Sequence, residues 1–433
     1  METLMHYLWA NRLQLRPGMT TVDNQPIEII DPGRLNTDSG PDFFNAKIRI
    51  GSETWAGNIE IHVRASDWLR HGHQDDRAYD TVILHVVGLS DTRITAPDGR
   101  VIPQIEMPCD QATIAQLAEL KSGAPSESLP CAATIETMEP MYLSDWLSAL
   151  AYERIYEKVD RVEEIRSRLN GDWEETAYIT LARALGFNTN SEPFERLARA
   201  TPLRILRKHA DDPLILEAIL MGQSGLLPTD APNDSYPAAL RREYDFMAVK
   251  FSLEPPTIQW KMSRMRPANF PHRRIALLSR ILSRTSSLMS HILSVKSYDD
   301  AVVLFSQPLT GFWSSASTFS SRPETDAAPR TALSRSSVMS LIINVVVPLK
   351  VAWADRHDTE RLSDEAIEML YAVSPEDNRL TRLFADTKIR HDSAFVSQAL
   401  IQLRRRYCET SDCLRCRIGH RALKSNFAAR PTR

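Results

Sequence analysis

Two periodicities divide this chain. Between Pro26 and Met107 apolar residues alternate with polar ones or run in short blocks, as strands require. From about residue 140 onward they recur every three to four residues, the spacing of amphipathic helices. Ahead of both, Leu4, Met5, Leu8, Trp9 and Leu13 predict a helix that Pro17-Gly18 stops. Pro26 to Ile30 reads as a short strand closed by Asp31-Pro32-Gly33. Residues 44–50 and 54–63 predict a hairpin across Gly51-Ser52, and Ser66 is placed to cap a short helix. Residues 81–87 form an apolar strand, buried on both faces except at His85. Residues 93–96 and 101–107 suggest one more hairpin around Asp98-Gly99.

The resulting order is helix, three strands, short helix, strand. Residues 109–139, with weak pattern and many Ser, Pro and Ala, read as a linker or crossover. Helices are expected over 141–168, 174–186, 192–208, 213–222, 235–251, 271–293, 334–353, 362–372, 376–385 and 391–406. The predicted fold class is α+β: a small αβββαβ core with a mixed sheet over 1–108, then a larger all-helical domain over 140–433 that carries a C-terminal cysteine cluster. Residues 310–335, rich in Ser and Thr, are expected to be a mobile loop. The charge-free run 336–349 is shorter than a membrane span and ends near Pro348, so it reads as a buried helix.

Composition changes this picture little: 43% hydrophobic and 25% charged residues describe an ordinary globular protein. A net charge of −3 argues against blanket attraction to nucleic acid but leaves room for a local basic patch. The first sixteen residues carry an early acid and no small-residue cleavage site, unlike a signal peptide. Five cysteines in 433 residues are too few for a disulfide framework, so a reducing cytoplasm is the expected compartment, with no membrane partner.

The chemistry concentrates at Gly40-Pro41-Asp42-Phe43 and Asn58-Ile59-Glu60-Ile61-His62-Val63. Period two puts Glu60 and His62 on one face of their strand, and pairing with strand 44–50 brings Asp42 toward it. Two carboxylates and a carbonyl, here Asp42, Glu60 and the backbone of Ile61, suit Mg²⁺ or Mn²⁺, which offset phosphate charge and activate water. His62 would then orient or deprotonate that water, and Glu2 on the first helix would assist. The plainer reading is a solvated hairpin face on which Glu60 and Arg64 are ordinary surface charges. His71 and His73, near Asp75, Asp76 and Asp80, are a candidate Zn²⁺ or Mn²⁺ site or phosphate contact, or simply a polar loop. His85 is a core histidine or faces the same site as Glu60.

Pro41-Asp42 followed by Glu60-Ile61-His62, on this order of elements, resembles the PD-(D/E)xK nuclease signature across roughly residues 1–90. The resemblance implies metal-dependent cleavage of DNA or RNA. Histidine stands where that superfamily usually has lysine, and it lacks lysine's fixed charge. The rival function is therefore a non-catalytic nucleic-acid or protein interaction module on a degenerate nuclease core. The whole chain also resembles an uncharacterised bacterial family known only as a domain of unknown function. Asp38-Ser39-Gly40-Pro41-Asp42-Phe43, Ser66-Asp67-Trp68, Arg266-Pro267-Ala268-Asn269-Phe270-Pro271 and Cys413-Leu414-Arg415-Cys416 are among the phrases that carry it.

Two further features remain. Cys408, Cys413 and Cys416 suit zinc or an iron–sulfur cluster, with His420 nearest as a fourth ligand and Cys109 or Cys131 as alternatives. Packed reduced thiols are the bland alternative. Between Pro255 and Tyr298 stand eight Lys or Arg and no acid. Among them Lys261, Arg264, Arg266, Arg273 and Arg274, interleaved with Trp260 and Phe270, are candidate nucleic-acid contacts or one face of a solvated helix. Neither a nucleophile elbow nor a P-loop nor a dinucleotide fingerprint appears.

Overall fold

The computed structural model describes the chain except residues 14, 16–17, 97, 123–128, 322–332 and 429–433, and the side chains of 425–428. It divides into two compact units. The first comprises Met1–Leu143, Asp386–Lys388 and Leu403–Arg433, and the second Ser144–Ala385 and Ile389–Gln402.

The first unit opens with α1 (Glu2–Ala10), followed by β1 (Ile27–Asp31), β2 (Arg34–Leu35), β3 (Phe43–Ile50) and β4 (Glu53–Arg64). Then come α2 (Asp67–His71), β5 (Val82–Leu89), β6 (Gln104–Glu106), α3 (Gln111–Ser122) and α4 (Ala132–Thr137). The sheet order is β1-β3-β4-β5-β6, with β2 on β3. β1, β3 and β4 run antiparallel, while β4, β5 and β6 are parallel. Gly51, with φ +59°, makes the tight β3–β4 turn. The parallel β4–β5 pair needs a crossover, and α2 with the segment after it provides one.

Alternation sorts the faces. Leu4, Met5, Leu8 and Trp9 of α1 share a core with Phe43, Ile48, Ile59, Ile61, Leu84 and Val86. A smaller cluster gathers Trp68, Val82, Ile94, Ala96 and Ile102. The polar residues Glu60 and His62, out of step with Ile59 and Ile61, are buried too. So is His85, the expected polar break in β5.

Four expectations change in this unit. The hairpin around Asp98-Gly99 forms only at its tip, through the Thr95–Val101 bridge. Its second half leaves to pair in parallel with β5, beginning where the His85 N–H donates to the Pro103 carbonyl. Pairing there satisfies a β5 edge that would otherwise bury bare backbone groups. Residues 109–139 contain α3 and α4 rather than a plain linker. The C-terminal segment belongs with the sheet, not with the helical domain: Leu423 is buried in the α1–sheet core beside Leu117, and Gln116 Nε2 donates to the Ala422 carbonyl at 2.8 Å. Finally, Ser66 precedes α2, but its hydroxyl binds Asp91 at 2.8 Å instead of capping the helix.

The second unit is helical, and nearly every expected segment is present, from Pro140–Arg168 to Ala394–Gln402. The expected helix 192–208 breaks into Ser191–Ala200 and Leu203–Arg207 around Pro202, which cannot donate to the ladder. Residues 271–293 break likewise into Pro271–Arg284 and Leu288–Ser294. Asp172 and Asp212 cap their helices through the next backbone amides. The apolar run forms one long helix whose π-turn, Ile342–Val346, lies just before Pro348. Widening the turn accommodates the proline ring and its missing N–H. Among the described residues this helix, Arg335–His357, is the one long and apolar enough to cross a membrane, and 83% of its most apolar window is buried inside the protein. Of the expected loop at 310–335, residues Gly311–Ser314 form a 3₁₀ turn with Trp313 buried, and 322–332 lie outside the described residues.

Candidate functional site

Asp42 stands where β3 leaves a loop turned by Gly40 (φ +103°). Asn36 holds that loop, its side chain donating to the Pro41 carbonyl at 3.1 Å and its amide to the Asp42 carbonyl at 2.7 Å. Between Phe43 and Ala46 the register slips by one residue against β4, and Asn45 takes φ +57°. β4 and β5 slip at the same level, between Asn58 and Ile59. Such bulges re-aim side chains beside functional sites. Here they permit a reciprocal brace. The Asp42 N–H donates to Glu60 Oε2 at 3.1 Å, and the Ile61 N–H donates to Asp42 Oδ2 at 2.9 Å. The two acids, 18 residues apart in sequence, therefore meet across neighbouring strands.

Histidines complete the cluster. His6, one turn along α1 from Glu2, places Nε2 3.1 Å from Asp42 Oδ2. His73 Nε2 is 3.2 Å and His62 Nε2 3.5 Å from Glu60 Oε1. His62 Nε2 also lies 3.2 Å from His71 Nδ1. Gly72, left-handed at φ +77°, ends α2 and turns His71 and His73 toward the same centre. Behind His62, its Nδ1 meets His85 Nε2 at 2.9 Å, and His85 Nδ1 meets Gln104 Nε2 at 3.3 Å. The His73 ring stacks on Tyr79 with centroids 3.9 Å apart, and Trp68 packs edge-on against it.

The electrostatics follow from burial. His62 is pushed down to about 2 by desolvation, with His85, His73, His71 and His6 adding repulsion. His85 falls to about 3, chiefly by desolvation. Both rings are therefore neutral near pH 7, the form that ligates metals. Burial opposes charge on His6, but its hydrogen bond to Asp42 and that carboxylate's charge outweigh it and raise the pKa. Glu60 is raised, first by burial, then by the Asp42 charge against the relief from His73. Among the described residues neither acid pairs with Lys or Arg. The basic groups beside these two acids are imidazoles.

The donor set fits a divalent metal. Ring nitrogens of His62, His71 and His73 all lie within 4.8 Å of one another, beside the Glu60 carboxylate. Three imidazoles shift the preference from Mg²⁺ toward Mn²⁺ or Zn²⁺. His85 and Gln104 act behind them, fixing which His62 nitrogen carries its proton. Rotation of the Gln104 amide would reverse the proton order along the relay and bare the His62 Nε2 lone pair.

The structure thus gathers Asp42, Glu60 and His62, and sets beside them His71, His73 and His85, for each of which the sequence had left a site role and a plainer one open. Glu2 is half-buried at the start of α1 and reaches the cluster only through its field on His6. The sequence reading missed His6 and Gln104. The spacing of four from Glu2, one helical turn, was the signal for His6. Asp75, Asp76 and Asp80 are exposed loop residues; Asp76 caps the Ala78 amide.

Elsewhere, Lys261, Arg264 and Arg266 are exposed, but Arg273 and Arg274 are 5% and 2% exposed. Arg273 donates to the carbonyls of Trp313 and Ala316, and Arg274 to Asn269 while lying over Phe187. Those two are interior struts, so the candidate polyanion surface loses them. His420 Nδ1 pairs with the Tyr7 hydroxyl at 2.7 Å.

Fold and site together define an α+β protein with a bulged mixed sheet that carries a buried acid–histidine cluster. The chain belongs to the family described as "Protein of unknown function (DUF2851)", whose profile matches residues 2–379. No curated protein and no solved structure matches it.

Proposed function

We propose that this protein hydrolyses phosphodiester bonds in DNA or RNA with a divalent metal, Mn²⁺ in preference to Mg²⁺. The observation that carries this reading is the convergence of Asp42 and Glu60, braced by backbone amides, with His62 and His73 nitrogens beside Glu60 and His71 beside His62. His62, His71, His73 and Glu60 would hold the ion, which offsets phosphate charge and acidifies bound water. Asp42 braces Glu60 through its amide and, through its hydrogen bond and charge, favours the protonated form of His6, which would face an anionic substrate. His71, the exposed member of the triad, is the ring open to solvent and to an incoming phosphate. His62 stays neutral and keeps its proton shared with His85. The likeness of Pro41-Asp42 and Glu60-Ile61-His62 to the PD-(D/E)xK pattern supports the same chemistry.

The test uses labelled single- and double-stranded DNA and RNA with Mn²⁺, Mg²⁺ or EDTA. The expected result is Mn²⁺-dependent cleavage that EDTA abolishes and that Glu60→Gln lowers by at least about 10²-fold, as loss of a group acting at the reacting centre does. Cleavage that survives both treatments ends the proposal. Salt-sensitive binding without cleavage ends it too, in favour of a non-catalytic nucleic-acid module.

A further inference from the structure

The C-terminal segment Leu403–Arg433 returns to the sheet unit, and its cysteines return with it. Cys408 closes the π-turn Leu403–Cys408. The chain then reverses, with the Ser411 amide donating to the Cys408 carbonyl at 3.1 Å and Ser411 at φ +57°. Cys413 is clamped by Gly419, where an added Cβ would stand 2.1 Å from the Cys413 carbonyl oxygen. Cys416 immediately precedes the helix Arg417–Ala428, and its carbonyl accepts the His420 amide at 2.8 Å. On the opposite side Cys131 opens α4. All four cysteines line one cavity, with Leu120, Leu129, Leu403 and Tyr407 as its apolar wall. Its volume of about 30 Å³ exceeds the roughly 10–15 Å³ that one water needs.

We infer that Cys131, Cys408, Cys413 and Cys416 hold a thiolate-bound metal centre that fastens the C-terminal segment to the sheet unit. The ligand class is a soft centre, either one zinc ion or an iron–sulfur cluster, that takes four thiolates. Binding forms four metal–sulfur bonds and releases four thiol protons to solvent, with no change of sulfur oxidation state. Four thiolates around a dication leave excess negative charge. Arg404, buried and hydrogen-bonded to Cys408, and Lys121 near Cys413 offset part of it, as does the start of the helix at Arg417. Without metal, burial and mutual repulsion push Cys131 and Cys408 up to about 12, so neither is a nucleophile. His420, the nearest candidate by sequence, is turned to Tyr7 and does not line the cavity; Cys109 packs with the α1–sheet core. The sulfurs are set more widely than the three site histidines, which alone among the described residues close within 4.8 Å. A single zinc, whose tetrahedral sulfurs stand about 3.8 Å apart, would draw them inward, whereas a cluster would seat with less movement.

The test is metal and sulfide analysis with a visible spectrum of the full chain purified without oxygen. One equivalent of zinc in colourless protein, or iron with acid-labile sulfide in brown protein, supports the centre and tells its two forms apart. Cys131→Ser is expected to lose at least half of the metal, and Cys109→Ser and His420→Ala to keep it. Should Cys131→Ser not fold, alkylation of the wild-type protein gives the answer. Cys131, Cys408, Cys413 and Cys416 are expected to resist iodoacetamide until a chelator is added, and Cys109 to react alike in both cases. Wild-type protein that holds no metal and takes up neither Zn²⁺ nor a reconstituted cluster overturns the inference. Full metal retention in Cys131→Ser, with loss in His420→Ala, overturns it as well.

Discussion

Replacing Glu217 by glutamine removes a carboxyl that the helical unit keeps almost entirely from water. Glu217 lies mid-helix in Pro213–Gln223 and is 6% exposed. It accepts hydrogen bonds from the Trp313 indole and the Tyr236 hydroxyl, and Arg280 lies near. Burial dominates these helpers and lifts its pKa from the ordinary 4.5 to about 7. The folded protein therefore binds a proton that the unfolded chain has already released between those values. That contribution to stability is fully present below about pH 4.5 and is lost as pH rises through 7. At about 1.4 kcal/mol per unit, the ceiling is about 3 kcal/mol, of which about 2.5 kcal/mol falls between pH 5 and pH 8. Glutamine keeps an acceptor for the indole and cannot ionise. Urea unfolding at pH 5, 6, 7 and 8, followed by tryptophan fluorescence, reads the difference. The wild-type protein is expected to lose about 2–3 kcal/mol more than Glu217→Gln across that range. Equal losses in the two proteins would refute the argument that burial holds this carboxyl neutral.

Four other outcomes are expected. Gly222→Ala drives a Cβ to 2.1 Å from the Tyr244 ring, so chemical denaturation should show about 1–3 kcal/mol of destabilisation from overpacking. Gln104→Ala removes the end of the His85–His62 relay; calorimetric Mn²⁺ or Zn²⁺ titration should then show about 10–100-fold weaker binding, as loss of an outer partner typically gives. Lys261→Glu combined with Arg264→Glu and Arg266→Glu should weaken nucleic-acid binding and flatten its salt dependence by about 0.7–0.9 per lost phosphate contact. Arg274→Ala should instead lower stability and leave that slope unchanged.

How much was legible depended on the range of the interaction. Ile59, Glu60, Ile61 and His62 alternate within one strand, so their faces followed from period two alone. The helices of the second unit followed from 3.6 periodicity, and where they broke, at Pro202 for example, the cause was also written locally. His71-Gly72-His73 was ambiguous, because a polar loop and a ligand pair look alike until the fold sets the loop beside Glu60. His6 gave only its spacing from Glu2. Arg273 and Arg274 misled because charge normally marks surface, while here backbone carbonyls and Asn269 satisfy them inside.

The amino-acid order by itself determined most of the elements and a strand pair that brings one acid toward another. Those properties rest on local sterics and on hydrophobic spacing, which each segment carries alone. Only the tertiary structure decided that five imidazoles share one pocket, that the chain's end comes back to the sheet, and that Cys131 rather than His420 faces the other thiols. These are contacts over tens to hundreds of residues. They are selected by the joint burial of many side chains, for which no short stretch of sequence contains the instruction.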